Sequence, residues 1–153
     1  MISVTVDTKQ VVSLLGKLEN NLSKTGFSKF IKETAAPYVK KITNETFDTA
    51  GGRLGGWKPI KESTAQKKGH GGILFEKGKL RQQVTNIKPE ITGSEAVWGP
   101  DKISGRYRSN SVKNVYIYHQ SQAERTAIRK MLAWTDEDQR FLADAFSKHI
   151  MKI

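Results

Sequence analysis

The first apolar pattern in the chain is a simple alternation. Ile2, Val4 and Val6 share one side of Ile2–Val6, which predicts a short half-buried strand. Asp7 and Gln10 then stand at the spacing of an N-cap and capping box. Val11, Leu15, Leu18 and Leu22 recur at intervals of four, three and four, one stripe of an amphipathic helix ending near Gly26. A second helix is expected from Ser28 to about Thr49, with Ile31, Ala35, Tyr38 and Ile42 on its buried face. Pro37 falls inside this run. It cannot donate a backbone hydrogen bond and clashes with the preceding turn, so a kink or break is expected near Ala36.

From Ala50 to Gly72 the pattern dissolves into a glycine-rich loop, with room for one short helix over 62–68 after Pro59. A helical turn is expected around 77–83. Val84 to Lys88 and Glu95 to Trp98 read as a β-hairpin whose turn contains Thr92, Gly93 and Ser94. Residues 102–113 are polar and basic without periodicity, a loop. Asn114 to Tyr118 is rich in β-formers and reads as a strand, and Ile128 to Trp134 as a last extended segment. Thr135 is an N-cap, with Asp136, Glu137 and Asp138 in the first turn where the helix dipole favours acids. Phe141, Leu142, Ala145, Phe146 and Ile150 make the apolar face of the terminal helix. The expected fold class is α+β: a mainly antiparallel sheet packed with two N-terminal helices and a C-terminal helix.

At 153 residues, one domain spanning 1–153 is expected, able to fold without staples. Cysteine is absent, which excludes disulfides, thiol nucleophiles and Cys-ligated metals. No apolar run approaches membrane-spanning length, and the N-terminal residues lack the pattern of a signal peptide, so the expectation is cytoplasmic synthesis without membrane contact. The net charge of +11 is unevenly placed. Residues 1–52 carry +2, residues 53–113 carry +8 and residues 114–153 carry +1. The excess lies on the glycine-rich centre and points to an anionic partner, nucleic acid or acidic protein, or to solubility alone.

Catalytic motifs are missing. His70, His119 and His149 have no metal-binding helical spacing, and they read as solvated or structural residues. GGRLGGWK departs from a phosphate-binding loop because Trp57 separates Gly56 from Lys58 and no hydroxyl follows. The central acids Glu62, Glu76, Glu90, Glu95 and Asp101 are scattered rather than clustered as a two-metal nuclease requires. No cofactor or metal is expected. Trp57, Trp98, Tyr107, Tyr116 and Tyr118 alternate with basic residues, yet lack the spacing of a base-stacking motif. Phosphate contact by Arg53, Lys58, Lys61, Lys67, Lys68, Lys77, Lys79 and Arg81 needs only placed charge.

Residues 47–135 carry an ordered set of short motifs. Phe47 closes a helix; Trp57-Lys58-Pro59-Ile60, Thr64 and the pair Lys67-Lys68 follow. Then come Ile73-Leu74 and Gly78, Leu80 and Arg81, and later Tyr116, His119-Gln120, Arg129 and Trp134-Thr135. In order and spacing this resembles the phage virion morphogenesis, or tail completion, family of tailed bacteriophages. Three positions depart from that pattern: Lys77 stands for the usual threonine, Ser121-Gln122 for the glycine after His119-Gln120, and Lys130-Met131 for proline and phenylalanine.

The resemblance implies a non-enzymatic virion protein that completes or caps the tail and helps form the head–tail neck. It implies a homo-oligomeric ring, expected to be a hexamer, in the virion and, during assembly, in the host cytoplasm. Its partners would be tail-tube or tail-terminator and head-connector proteins, with nonspecific contact to packaged DNA. A ring needs a heterologous interface. Trp57, Pro59, Ile60 and Leu74 are the candidate assembly residues, on a loop that would order against a neighbour. Trp57 is equally suited to the core of its own subunit. The eight cations would line a DNA lumen or face acidic partners. A different class, a basic nucleic-acid-binding module with nonspecific phosphate contacts, fits the same charge.

Overall fold

The structure is a computed structural model and describes residues 8–74, 78–99, 101, 103, 106–107, 110–121 and 127–152. The strand expected over 2–6 lies outside the described residues. The described residues open with helix α1, Thr8–Leu22, which stops four residues before Gly26. Ser23 breaks it and caps the next helix, α2 (Lys24–Phe30), its hydroxyl accepting from Gly26 N at 3.2 Å. Gly26 is therefore inside a helix rather than at the end of one. Its missing Cβ lets α2 approach the carbonyls of Asn20 and Asn21, which a methyl group would overlap.

The helix continues through a π-helical turn, Ile31–Ala35, into α3, Ala36–Asp48, with the amide of Ala36 reaching back to Ile31 O. The irregularity expected near Ala36 is thus a widened turn directly before Pro37. A proline that cannot donate and that crowds the preceding turn is accommodated by this one loop of wider helix. Within α3 the buried Thr43 and Thr46 hydroxyls donate to Val39 O and Ile42 O at 2.7 and 2.8 Å, so no polar atom is stranded there.

The mainly antiparallel sheet expected from the sequence is not present. The described chain is mostly helical, and its β-structure is two separate two-stranded ladders. After α4 (Glu62–Lys68) and α5 (Lys79–Thr85) comes the hairpin β1 (Glu90–Thr92) and β2 (Glu95–Val97), turning at Gly93–Ser94. Val84 is helical because Leu80 and Val84, four apart, enter the core together, so the first strand begins later than expected. Part of the basic loop over 102–113 is ordered: β3 (Arg106–Tyr107) pairs with β4 (Asn110–Ser111).

The β-formers of 114–118 belong to helix α6, Val112–Ser121. Val112 and Tyr116 are both buried, with Val115 packed beside them. That three-and-four spacing satisfies a helix, and packing overrides the β-propensity of Val, Tyr and Ile. Residues 127–135, which include the expected extended segment 128–134, form no regular element, bend at Met131–Leu132 and pair with no strand among the described residues. Helix α7, Asp136–Ile150, starts at Thr135 with the full capping box closed by Asp138.

Two apolar clusters hold these elements. One gathers Trp57, Leu80, Val84, Ile87, Ile103, Val112, Tyr116 and Met131; the other gathers Phe30, Ile31 and Ala35 under Phe146 and Leu142 of α7. Trp98, just after β2, packs against both. Asn21 fastens the end of α1 to the far end of α7, its amide donating to His149 O, Ile150 O and Lys152 O at 3.2–3.3 Å.

Candidate functional site

The long loop after α3 is fastened to its own subunit. Gly51, with φ +79°, reverses the chain beneath the indole of Trp57, where a side chain would collide with the ring. Trp57 N donates to Ala50 O at 2.7 Å and the indole Nε1 to Lys130 O at 2.9 Å. The ring stands edge-on to Phe47, 5.3 Å between centroids, and the residue is only 8% exposed. Trp57 is thus a core residue, which closes the alternative left open by the sequence.

Three further residues of the motif set, His119, Gln120 and Arg129, gather beside this loop. Arg129, itself buried, donates through Nε to Lys58 O at 2.9 Å and through Nη2 to Pro59 O at 3.4 Å. Its amide donates to His119 O at 2.7 Å. Gln120 clamps the following residues: Oε1 accepts from Met131 N at 2.9 Å and Leu132 N at 3.4 Å, and Nε2 donates to Leu132 O at 2.6 Å. Side chains of Trp57, Gln120 and Arg129 therefore replace the β-ladder that the segment 127–135 lacks. Burial pushes the His119 imidazole below its usual range, and the neighbouring Arg129 charge adds to this, against a weak contact with Ala127 O. Burial alone lowers Arg129 and raises the Tyr116 phenol.

A second node closes the loop against α7. Asp138 is 2% exposed and accepts from Thr135 N, Thr135 Oγ1 and Tyr38 Oη, each at 2.8 Å, and from the Arg53 guanidinium in an ion pair. Burial pushes its carboxyl up, but the hydrogen bonds from Thr135, Arg53 and Tyr38 outweigh this and hold it below the usual carboxylate range. Tyr38 is pushed up to about 12, by burial first and by the Asp138 carboxylate second. Arg53 also reaches Ala133 O at 3.4 Å. Sequence reading took Asp138 as one of three acids at a helix start. Its junction role rests on Arg53, 85 positions away, and only the fold shows that.

The remaining candidates divide by burial. Arg81 pairs with Asp48 at 2.7 Å, binds Asn44 Oδ1 at 3.0 Å and lies 5.9 Å over the Phe47 ring. Lys68 Nζ donates to Gly72 O at 3.0 Å. Lys58, Lys61, Lys67 and Lys79 are exposed; Lys77 lies outside the described residues. Pro59 is exposed, whereas Ile60 and Leu74 are half-buried, Leu74 against the Trp57 cluster. The histidines stand apart. His70 Nδ1 accepts from Gly72 N at 3.2 Å, and His149 contacts Gly26 O at 3.1 Å among the rings of Phe30 and Phe146. Among the described residues no three His, Asp or Glu side chains gather as metal ligands, and no helix is long and apolar enough to cross a membrane.

One open cleft of about 340 Å³ lies between the hairpin, α6 and the segment before α7. Ala96, Val97, Trp98, Tyr116, Gln120, Leu132 and Trp134 line it. Trp98 and Trp134 meet edge-on at 6.1 Å, and the Trp98 indole N–H is buried without an acceptor among the described residues. Among the described residues its lining holds no carboxylate, imidazole or amine for acid–base work, and polar and apolar atoms share it about evenly. Comparison with protein-family models, with curated proteins and with solved structures returned no match.

Proposed function

We propose that this chain is a non-enzymatic virion structural protein that completes or caps a phage tail and helps form the head–tail junction as a homo-oligomeric ring. One observation carries the reading. Six of the residues that resemble the tail-completion pattern, Phe47, Trp57, Arg81, Gln120, Arg129 and Thr135, are spent on holding the fold together. Such a pattern belongs to a scaffold that presents surfaces, since none of these groups is left facing a reaction site. Electron microscopy of the purified chain, alone and with tail-tube and head-connector proteins, is the test. Closed rings, or incorporation at the tail end, are expected. A chain that stays monomeric with all of these partners overturns the reading.

A nucleic-acid-binding module is the second reading, favoured by the exposed Lys58, Lys61, Lys67 and Lys79. It requires DNA affinity that falls steeply with salt. Absence of binding at low salt removes it.

A further inference from the structure

The loop anchored by Trp57 and the segment before α7 meet through main-chain oxygens. The Trp57 indole donates to Lys130 O at 2.9 Å, and Arg129 Nε donates to Lys58 O at 2.9 Å. These bonds leave the ammonium groups of Lys58 and Lys130 unused, and both residues are exposed on the joined segments. Exposed Lys61 and Lys67 extend the same cationic surface. Lys61 follows Lys58 by at most about 10 Å of chain, and Lys67 lies about 9 Å further along α4. None of the four forms an ion pair among the described residues. Arg129 lies beneath them. It is 7% exposed, and among the described residues its guanidinium meets the carbonyls of Lys58 and Pro59 but no carboxylate. Carbonyls satisfy N–H groups without neutralising the charge, and a buried charge is costly until it is paired. The surrounding chain offers little relief. Segments 50–74 and 127–133 carry seven cations and one acid, Glu62. Asp138, which closes the same loop, is taken by Arg53.

We infer that this surface, Lys58, Lys61, Lys67 and Lys130 over the buried Arg129 charge, grips the phosphate backbone of duplex DNA. The inference deepens the nucleic-acid reading and rests on it. It places the contact on one face and adds Lys130, which the sequence pattern did not single out. Three observations favour a duplex as the occupant. Exposed Ser63, Thr64 and Gln66 on α4 stand among the lysines, and such neutral donors contact phosphates alongside cations. The surface has no anchor of the kind a protein partner uses. Trp57 is buried and Ile60 half-buried, while lysine is depleted at protein interfaces. Single strands are held by exposed rings, and here Trp57 and Tyr116 are both core residues. What remains is point charge without sequence reading, which suits a duplex backbone.

The test is the salt dependence of binding to a labelled mixed-sequence DNA duplex, read by fluorescence anisotropy on the full chain. Lys58→Gln, Lys61→Gln and Lys130→Gln are combined in one variant. Its main-chain bonds to Trp57 and Arg129 stay in place, so an unchanged thermal midpoint is expected. The slope of log affinity against log salt should fall by about 3. A control removes the same charge elsewhere, at exposed Lys17, Lys29 and Lys32 of α1, α2 and the π-helical turn, and its slope should fall by less than about 1. Equal losses in the two variants would mean diffuse attraction and overturn the site. Full binding by the first variant would overturn the site while leaving the nucleic-acid reading intact. A parent chain that binds no duplex at low salt removes both. Polyglutamate bound more tightly than the duplex would assign the surface to acidic protein and overturn the inference. Arg129→Gln and Arg129→Lys both lose the fork that spans two carbonyls, but only lysine keeps the charge. At equal concentrations of folded protein the glutamine variant should bind the duplex several-fold more weakly. Equal affinities would overturn the part given to the buried charge.

Discussion

Asp138 is the residue on which most separate parts of the chain depend. It joins the cap of α7, the loop cation Arg53 and the phenol of Tyr38 from α3. Its carboxyl is held below the ordinary value, so the sign of its contribution is fixed. Stability from Asp138 is complete above the unfolded value near 3.8 and is lost as pH falls through the lower folded value. Asp138→Asn should lower unfolding stability on the order of 3 kcal/mol at neutral pH, since it leaves Arg53 without its counter-charge. In urea titrations the variant should also lose part of the decline below pH 3.8. A neutral-pH midpoint equal to that of the parent would sink the idea. His119 acts in the same sense at higher pH. Its folded value lies below 6.5, so the unfolded chain takes up a proton first and stability falls as pH drops below about 6.5. His119→Gln should flatten the loss of urea midpoint between pH 7.5 and 5.5. Identical losses in parent and variant would show that His119 does not carry this dependence.

At the scale of elements, local signals were legible and long-range ones were not. The Thr135 cap is written in four neighbouring residues, and the structure contains it. The short helix at 62–68 and the disturbance before Pro37 are equally local. The hairpin turn was legible at Gly93–Ser94, but its first strand was displaced because Val84 serves α5. α6 was misread as a strand because its β-formers also have helical spacing, and the choice is made by Leu80, Val84 and Met131 packed against it. The same distance effect hid the site: the tail-completion-like motifs were visible in order, but not that Arg129 ends on the carbonyls of Lys58 and Pro59. Gly26 gives an element-scale prediction. In an isolated helix, Gly→Ala gains about 1 kcal/mol. Here the added methyl would overlap the carbonyls of Asn20 and Asn21 in α1. Gly26→Ala should therefore destabilise by about 1–3 kcal/mol through overpacking. A thermal midpoint at or above that of the parent would show that α1 and α2 are not in this close contact.

For the whole molecule, the +11 charge is less available than its sum suggests. Arg53 and Arg81 are paired with Asp138 and Asp48, and Lys68 is bound to a loop carbonyl. Among the described residues, Lys58, Lys61, Lys67 and Lys79 are the exposed members of the candidate set. These two groups should separate cleanly under mutation. Each phosphate contact contributes a slope of about 0.9 in log affinity against log salt on duplex DNA. Replacing the four exposed lysines by glutamine should therefore lower that slope by up to about 4 and leave the thermal midpoint unchanged. Arg53→Gln should do the opposite, lowering the midpoint through the loss of its pairing with Asp138 while leaving the slope nearly untouched. A lumen that guides packaged DNA needs the first behaviour, because screened contact without sequence reading lets the duplex slide. If the four-lysine variant keeps the full slope, the exposed cations face acidic protein instead. Its binding to the partners proposed for it should then weaken in their place, by an amount that also falls with salt.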